Sequence, residues 1–281
     1  LCGGQETALR SINRANEAGF TGLILTIDTG VSGLRALHQR MNPMQVAKPF
    51  TGLGLVEAIR LIFKKISVAP QMITRLPWLI DHTIDGGLME FVNVVDENGS
   101  AMPYADIGEQ LSSSAVTWDD LNWIKEAWGN EKPLIIKGIH CSYDAKKAED
   151  HGASGVIWSN HGGRQQDRVP PTLHIVEQEM PHMANSSLDF MMDGGVRNGT
   201  DILIALSYGL KAVGIGRVTA AGIGAGGAPG LRRAFDILDS DLRRAMRLVG
   251  LQNISEIQEM GSEVRRKNSL IGDSHLPEFV Y

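Results

Sequence analysis

The sequence predicts an α/β fold, a TIM-type (β/α)8 barrel, on the strength of three observations. Five short apolar runs lack polar alternation, as parallel strands covered on both faces should. Helix-like stretches that close on a glycine lie ahead of most of them. Polar residues gather at the C-terminal end of nearly every run, which describes the catalytic face of a barrel. An open doubly wound sheet would instead concentrate its ligand groups at one switch point.

The five strands are read over Thr21 to Asp28, Pro133 to Lys137, Gly155 to Ser159, Leu188 to Asp193 and Lys211 to Gly216. Helices are read over Ile12 to Ala18 before Gly19, Ala145 to His151 before Gly152, and Asp201 to Tyr208 before Gly209. Glycine suits these places because the residue after a helix usually takes a left-handed conformation. Trp118 to Trp128 is a further helix, with Thr117 or Ser114 as its cap and Trp118, Leu121, Ile124 and Trp128 on one apolar face. The strand ends carry Thr26 and Asp28; Lys137; Ser159 with His161 and Arg164; Asp193 with Arg197; and Gly216 with Arg217.

Two regions fall outside the repeat. Residues from about 34 to 114 form an insertion far longer than the roughly 2 to 6 residues of an ordinary βα loop. It is expected to act as a lid, partly mobile, with an amphipathic helix over Leu55 to Ile66. From Pro229 to Gly250 the pattern predicts a helix pair with Leu231, Ala234, Ile237, Leu238, Leu242, Met246 and Leu248 facing inward.

Composition narrows the function. The chain has 281 residues, 43% of them hydrophobic, and one large domain over 1–281 accounts for it. A net charge of -5 with no basic block argues against nucleic acid as a partner. Charges such as Glu57, Arg60 and Lys211 interrupt the apolar stretches, so no segment is clean enough to span a bilayer. The expectation is a soluble cytoplasmic chain without a membrane partner. Cys2 and Cys141 have neither disulfide-framework nor zinc spacing, and no metal site is expected.

The run Ser159-Asn160-His161-Gly162-Gly163-Arg164 follows a buried strand directly. A histidine that titrates near neutrality can accept a proton, and an arginine three residues on can grip a planar carboxylate by two hydrogen bonds. The blander reading is a strand-capping histidine beside a surface arginine. Next come Asp193-Gly194-Gly195-Val196-Arg197-Asn198-Gly199 and Gly214-Ile215-Gly216-Arg217. Two adjacent loops, each with glycines that expose backbone N–H groups and each with an arginine, make a phosphate cradle at a helix N-terminus. Gly222, Gly224 and Gly227 also satisfy G-x-G-x-x-G, but the match does not turn directly out of a strand and is set aside as a dinucleotide signal.

These motifs, with Leu25-Thr26-Ile27-Asp28-Thr29 and Leu134-Ile135-Ile136-Lys137-Gly138, resemble the FMN-dependent α-hydroxy-acid oxidase and dehydrogenase family, which includes glycolate oxidase, lactate oxidase and mandelate dehydrogenase. The resemblance runs in order from about Gly19 to Gly261. It implies FMN as cofactor and a small 2-hydroxy acid as substrate, oxidised to a 2-keto acid. By the same resemblance His161 is the base, Asp28 stabilises its protonated form, and Arg164 and Arg35 bind the substrate carboxylate. Lys137 stands at the flavin N1/O2 edge, Thr26 and Ser159 hold the ring and ribityl chain, and Asp193, Gly194, Gly195, Arg197, Gly216 and Arg217 hold ribityl and phosphate. Gly30 stands where the family commonly has proline, and Asn198 where a second arginine is frequent.

The resemblance also implies two active-site tyrosines and the first barrel strands, none of which is found in this chain. With only the last five of eight strands, a closed barrel is expected to need a second polypeptide or an N-terminal segment, and family analogy suggests a homo-oligomer. Two alternatives stay open: an incomplete or non-catalytic subunit awaiting an N-terminal partner, or an FMN-barrel enzyme that acts on a peptide or an isoprenoid-type substrate.

Overall fold

The structure, a computed structural model, describes residues 4–30, 33, 56, 59–60, 62–63, 66, 70, 73–84, 90–95, 100–103 and 115–265. They fall into two compact units, Leu1–Phe20 with Thr29–Asn130, and Thr21–Asp28 with Glu131–Tyr281.

The second unit holds the sheet. Strands β1 (Leu23–Thr26), β4 (Leu134–Ile139), β5 (Gly155–Trp158), β6 (Asp189–Asp193) and β7 (Ala212–Gly214) lie side by side in that order. Every neighbouring pair is parallel. Helices α4 (Ser142–Asp150), α5 (Thr172–Glu179) and α6 (Gly199–Ser207) connect β4 through β7 in turn, and α7 (Arg217–Leu248) follows β7. This is the wiring of consecutive β/α units of a TIM-type barrel, and all five predicted strands are present. Leu134, Ile136, Val156, Trp158, Phe190 and Met192 are buried.

The expectation of strands buried on both faces is corrected. Alternate residues of the middle strands, among them Ile135, Ile157 and Met191, are only half-buried, and β1 and β7 have no fully buried residue. Among the described residues the end strands pair on one side only. The full apolar burial that sequence pattern suggests requires cover on both faces.

The predicted C-terminal helix pair is corrected as well. Pro229 to Leu248 is one continuous stretch of α7, which is interrupted earlier, at Gly226 and Gly227. Of the seven side chains expected to face inward, Leu238 and Met246 are buried, whereas Ile237 is 52% and Leu248 81% exposed. An apolar stripe specifies a buried face only as wide as its neighbours cover. Here Met246 joins Leu203, Leu206, Leu251 and Ile257 in one cluster that links α6, α7 and α8 (Ile254–Met260). Gly222 and Gly224, from the dinucleotide-like match, lie inside α7. A side chain at Gly222 would meet the Gly230 carbonyl at 2.9 Å, so this glycine serves close packing across the kink.

In the first unit, α1 (Gly4–Glu17) and α3 (Asp120–Trp128) pack together, burying Ile12, Leu121, Ile124 and Trp128. The Asn16 side-chain amide donates to the Ala127 carbonyl at 3.1 Å. Thr117 does not cap α3. Its N–H and hydroxyl both donate to Asp120 Oδ2 at 2.8 Å, and Asp119 occupies the cap position. Hydrogen bonds, first from the Trp123 indole and then from Thr117, hold the Asp120 carboxyl below its usual range. Helix α2 (Leu76–Ile84) and an antiparallel hairpin, β2 (Glu90–Val95) with β3 (Ala101–Pro103), also belong to this unit. Ser114 lies outside the described residues, as does most of the insertion expected to be mobile.

Candidate active site

Four strands deliver charged or polar side chains to one end of the sheet. Lys137 is in register with Thr26 on β1 and Ile157 on β5. Its ammonium donates to Ser159 Oγ at 2.9 Å and lies 3.2 Å from Asp193 Oδ2 and 3.7 Å from Asp28 Oδ2. Ser159 is fully buried; its hydroxyl donates to Asp193 Oδ1 at 2.5 Å and accepts the His161 N–H at 3.0 Å. The His161 ring closes the cluster, with Nδ1 2.9 Å from Asp28 Oδ1. One cation is therefore shared by two carboxylates, and the imidazole engages one of them.

Two backbone features make this geometry. Between Lys137 and Ile139 the β4/β5 register shifts, and Gly138 sits in the shift with φ +104°. A Cβ there would stand 2.7 Å from Asp28 Cβ, so glycine is what lets β1 bring Asp28 against β4. His161 itself has φ 52°, a left-handed conformation that costs a non-glycine residue on the order of 1 kcal/mol or more and is concentrated at functional sites. Gly138 carries a signal that the sequence offers, since an isolated glycine within a strand pattern marks a bulge.

Because Asp28 occupies Nδ1, Nε2 is the ring nitrogen left to exchange a proton with a ligand. Asp28 also borders a cavity of about 240 Å³ that His140, Gln165 and Gln166 share. His140 was not singled out from the sequence and no local signal marks it; its Nε2 lies 2.7 Å from the Ser159 carbonyl oxygen.

A second cleft, of about 390 Å³, is lined by Gly162, Gly163, Gly194, Gly195, Asp201 and Arg217 among others. A Cβ at Gly194 would come within 2.9 Å of both Asn160 Oδ1 and Thr172 Oγ1. Only a bare backbone fits between them. Asn160 Oδ1 is buried and has no hydrogen-bond partner, while its amide nitrogen donates to the Pro170 carbonyl at 3.0 Å.

The two helix N-termini near this cleft differ. That of α6 is satisfied from within: Asn198 Oδ1 accepts from the Asp201 N–H, Asp201 Oδ2 accepts from the Arg197 and Asn198 N–H groups, and Asp241 Oδ2 accepts from the Gly199 N–H. At α7 the cap residue Gly216 provides no side-chain hydrogen bond, and Arg217 opens the helix. Of the helix ends in the expected cradle, α7 is the one with its first N–H groups open to an anion.

Among the remaining residues read from the sequence, Thr26 is half-buried at the end of β1, and Arg164 and Arg197 are exposed. Arg164 follows His161 in the same turn, its N–H bonded to the His161 carbonyl at 3.3 Å. Arg35 lies outside the described residues.

Comparison with known proteins decides the family: the family model described as FMN-dependent dehydrogenase matches residues 2–263. The chain belongs to the FMN-dependent dehydrogenase family. Similar members include a 2-hydroxyacid oxidase from Dictyostelium discoideum, 32% identical over 94% of this chain and 55% of that protein. An L-lactate dehydrogenase from Caulobacter vibrioides is 34% identical over 88% of this chain and 60% of its own length. Among solved structures, the monotopic membrane protein (S)-mandelate dehydrogenase superposes with a TM-score of 0.74 at 26% identity, covering 92% of this chain and 64% of the other. The chain thus spans little more than half the length of the curated relatives it matches.

The residues present fit the cofactor of an FMN-dependent dehydrogenase. The backbone of Gly162, Gly163, Gly194 and Gly195 lines the second cleft, Asn160 beside it keeps a buried acceptor without a partner, and the open N-terminus of α7 with Arg217 suits a phosphate. Among the described residues no cluster of histidine, cysteine and carboxylate groups suited to a metal ion is found, and no helix is long and apolar enough to cross a membrane.

Proposed function

We propose that this chain is part of an enzyme that oxidises a 2-hydroxy carboxylate to the 2-keto acid, with His161 as the base. The single observation that carries the reading is the 2.9 Å contact between His161 Nδ1 and Asp28 Oδ1, a carboxylate whose side chain is only 9% exposed. It engages Nδ1 and leaves Nε2 as the ring nitrogen to take the proton, and an imidazolium formed on proton uptake faces the Asp28 charge at once.

Arg164, and Arg35 beyond the described residues, grip the substrate carboxylate and so orient the hydroxyl-bearing carbon. Lys137 presents positive charge at the strand ends, held by Asp28, Asp193 and Ser159. Thr26, Ser159, Asp193, Gly194, Gly195, Arg197, Gly216 and Arg217 hold FMN, the phosphate against the start of α7. Bound FMN supplies a two-electron acceptor for the substrate. The strands that would close an eight-stranded barrel come, in this reading, from polypeptide outside this chain.

The test is anaerobic mixing of the flavin-loaded protein, with any co-purifying polypeptide retained, with lactate, glycolate and mandelate. Bleaching of the flavin absorbance by at least one of them is the expected result. A loaded protein that none of them bleaches, or a chain that takes up no FMN in any preparation, overturns the reading.

A further inference from the structure

The peptide that joins Ser159 to Asn160 is gripped at both ends by side chains. Its carbonyl oxygen lies 2.7 Å from His140 Nε2, and its N–H donates to Thr172 Oγ1 at 3.4 Å. A carbonyl oxygen can only accept, so Nε2 of His140 carries the proton. Ser159 is fully buried, and its carbonyl has no recourse to bulk solvent. Thr172 is buried as well.

Strand β4 delivers His140 through the bulge at Gly138. Lys137 pairs with Ile157 and Ile139 with Trp158, so one extra residue of β4 lies between them. The extra residue shifts the alternation: Ile139 is buried as Leu134 and Ile136 are, and the next side chain, His140, reaches Ser159. The Ser159 N–H still donates to the Ile139 carbonyl at 3.3 Å, whereas the Ser159 carbonyl is met by an imidazole. Just past His140 the chain is held too, since the Ser142 N–H donates to Glu179 Oε2 at 2.7 Å.

The gripped peptide leads directly into the left-handed backbone of His161. Such a residue persists only where its surroundings over-determine it. Asp28 holds its ring and Ser159 Oγ accepts its N–H, while His140 and Thr172 fix the peptide before it. A rotation of that peptide would carry the imidazole off Asp28 without touching either side chain.

We propose that His140 is a positioning residue for the base: through the Ser159 carbonyl it fixes the peptide that enters the His161 turn, and so keeps the imidazole on Asp28. The catalytic consequence rests on the reading of His161 as the base.

Imidazole NMR of the full chain tests the geometry without flavin or substrate. His140 is expected as the Nε2–H tautomer, and His161 as the Nδ1–H tautomer with that proton slow to exchange. An asparagine amide is too short to reach the Ser159 carbonyl, whereas a glutamine amide nitrogen lies about where Nε2 does. In His140→Asn the His161 Nδ1 proton should therefore exchange about tenfold faster, and in His140→Gln it should stay within about twofold of the parent. Anaerobic reduction of the flavin-loaded protein gives a second readout. His140→Asn should lower the limiting rate by about 10- to 100-fold with the half-saturating acid concentration within about threefold, and His140→Gln should restore most of the rate. An Nδ1–H tautomer at His140 overturns the proposal, and it is read on the parent chain whether or not His140→Asn folds. So does a His140→Asn variant whose Tm falls while exchange and limiting rate match the parent, because His140 then serves the fold alone. If no hydroxy acid bleaches the parent, the reading of function fails by itself, and the imidazole signals still decide what His140 holds.

Discussion

The two ends of the five-strand sheet share one helix–strand wiring and differ in how their polar groups are used. At the N-terminal ends, Glu149 on α4 accepts from the Ser187 N–H and hydroxyl, each at 2.6 Å, and from the Ser186 hydroxyl at 2.8 Å, tying the helix to the loop that enters β6. At the C-terminal ends Lys137 is divided between two carboxylates, His161 holds a strained backbone, and Asp28 Oδ2 and Asn160 Oδ1 are buried without a hydrogen-bond partner. One end is closed on itself and the other has binding capacity to spare. Barrels divide stability and chemistry in this way, because the βα loops vary independently of the frame beneath them.

Substitution separates the two ends. The largest effect is expected for His161→Gln, which should slow anaerobic flavin reduction by about 10²- to 10⁴-fold while leaving FMN affinity within a few-fold. A reduction rate close to that of the parent would mean the chemical end has been misplaced. Gly138→Ala comes next, since it adds a Cβ against Asp28 at φ +104°. It should cost about 2 to 3 kcal/mol, seen as a drop in Tm of roughly 5 to 10 °C. An unchanged Tm would show that the close approach of β1 and β4 is not what Gly138 secures.

Glu149→Gln should act on stability alone, by about 1 kcal/mol at neutral pH in chemical denaturation. The Ser187 hydroxyl, helped by the Ser187 N–H and the Ser186 hydroxyl, holds this carboxyl below its ordinary value. The lowered folded-state value means that the contribution is present above the unfolded-state pKa of about 4.3 and fades as pH falls through the folded one. The gap between parent and variant should therefore close in acid; a gap independent of pH would point to packing instead. Smallest is the expected effect at Cys141, just beyond β4, where burial pushes the thiol up. Peptide-resolved alkylation at pH 7.5 should find it several-fold slower than a free cysteine, and equal reactivity would contradict the burial.

Much of this end was legible in the sequence because its information is local. Lys137, Ser159, His161 and Asp193 each follow an apolar run within three residues, and a parallel strand that ends in a polar residue presents it at the same edge as its neighbours. Arg197 was read as part of a helix-terminal cradle, yet the helix beyond it is capped by Asn198, Asp201 and the distant Asp241. No pattern within the loop announces a partner 42 positions away. The helix pair expected after Pro229 failed for a related reason: apolar spacing marks a face without saying what will cover it.

The sequence by itself determined the strands, their parallel character, the glycine-closed helices before them and the residue types at their ends, since these follow from hydrophobic pattern and backbone preference over a few residues. Family resemblance paired Asp28 with His161 across 133 positions; only the tertiary structure decided that they meet at 2.9 Å, that Lys137 is shared by two carboxylates, and that α7 offers its N-terminus where α6 does not. Those outcomes depend on strand register and on one shift at Gly138. A displacement of a single residue along a strand would turn each side chain to the other face while leaving the one-dimensional pattern unaltered.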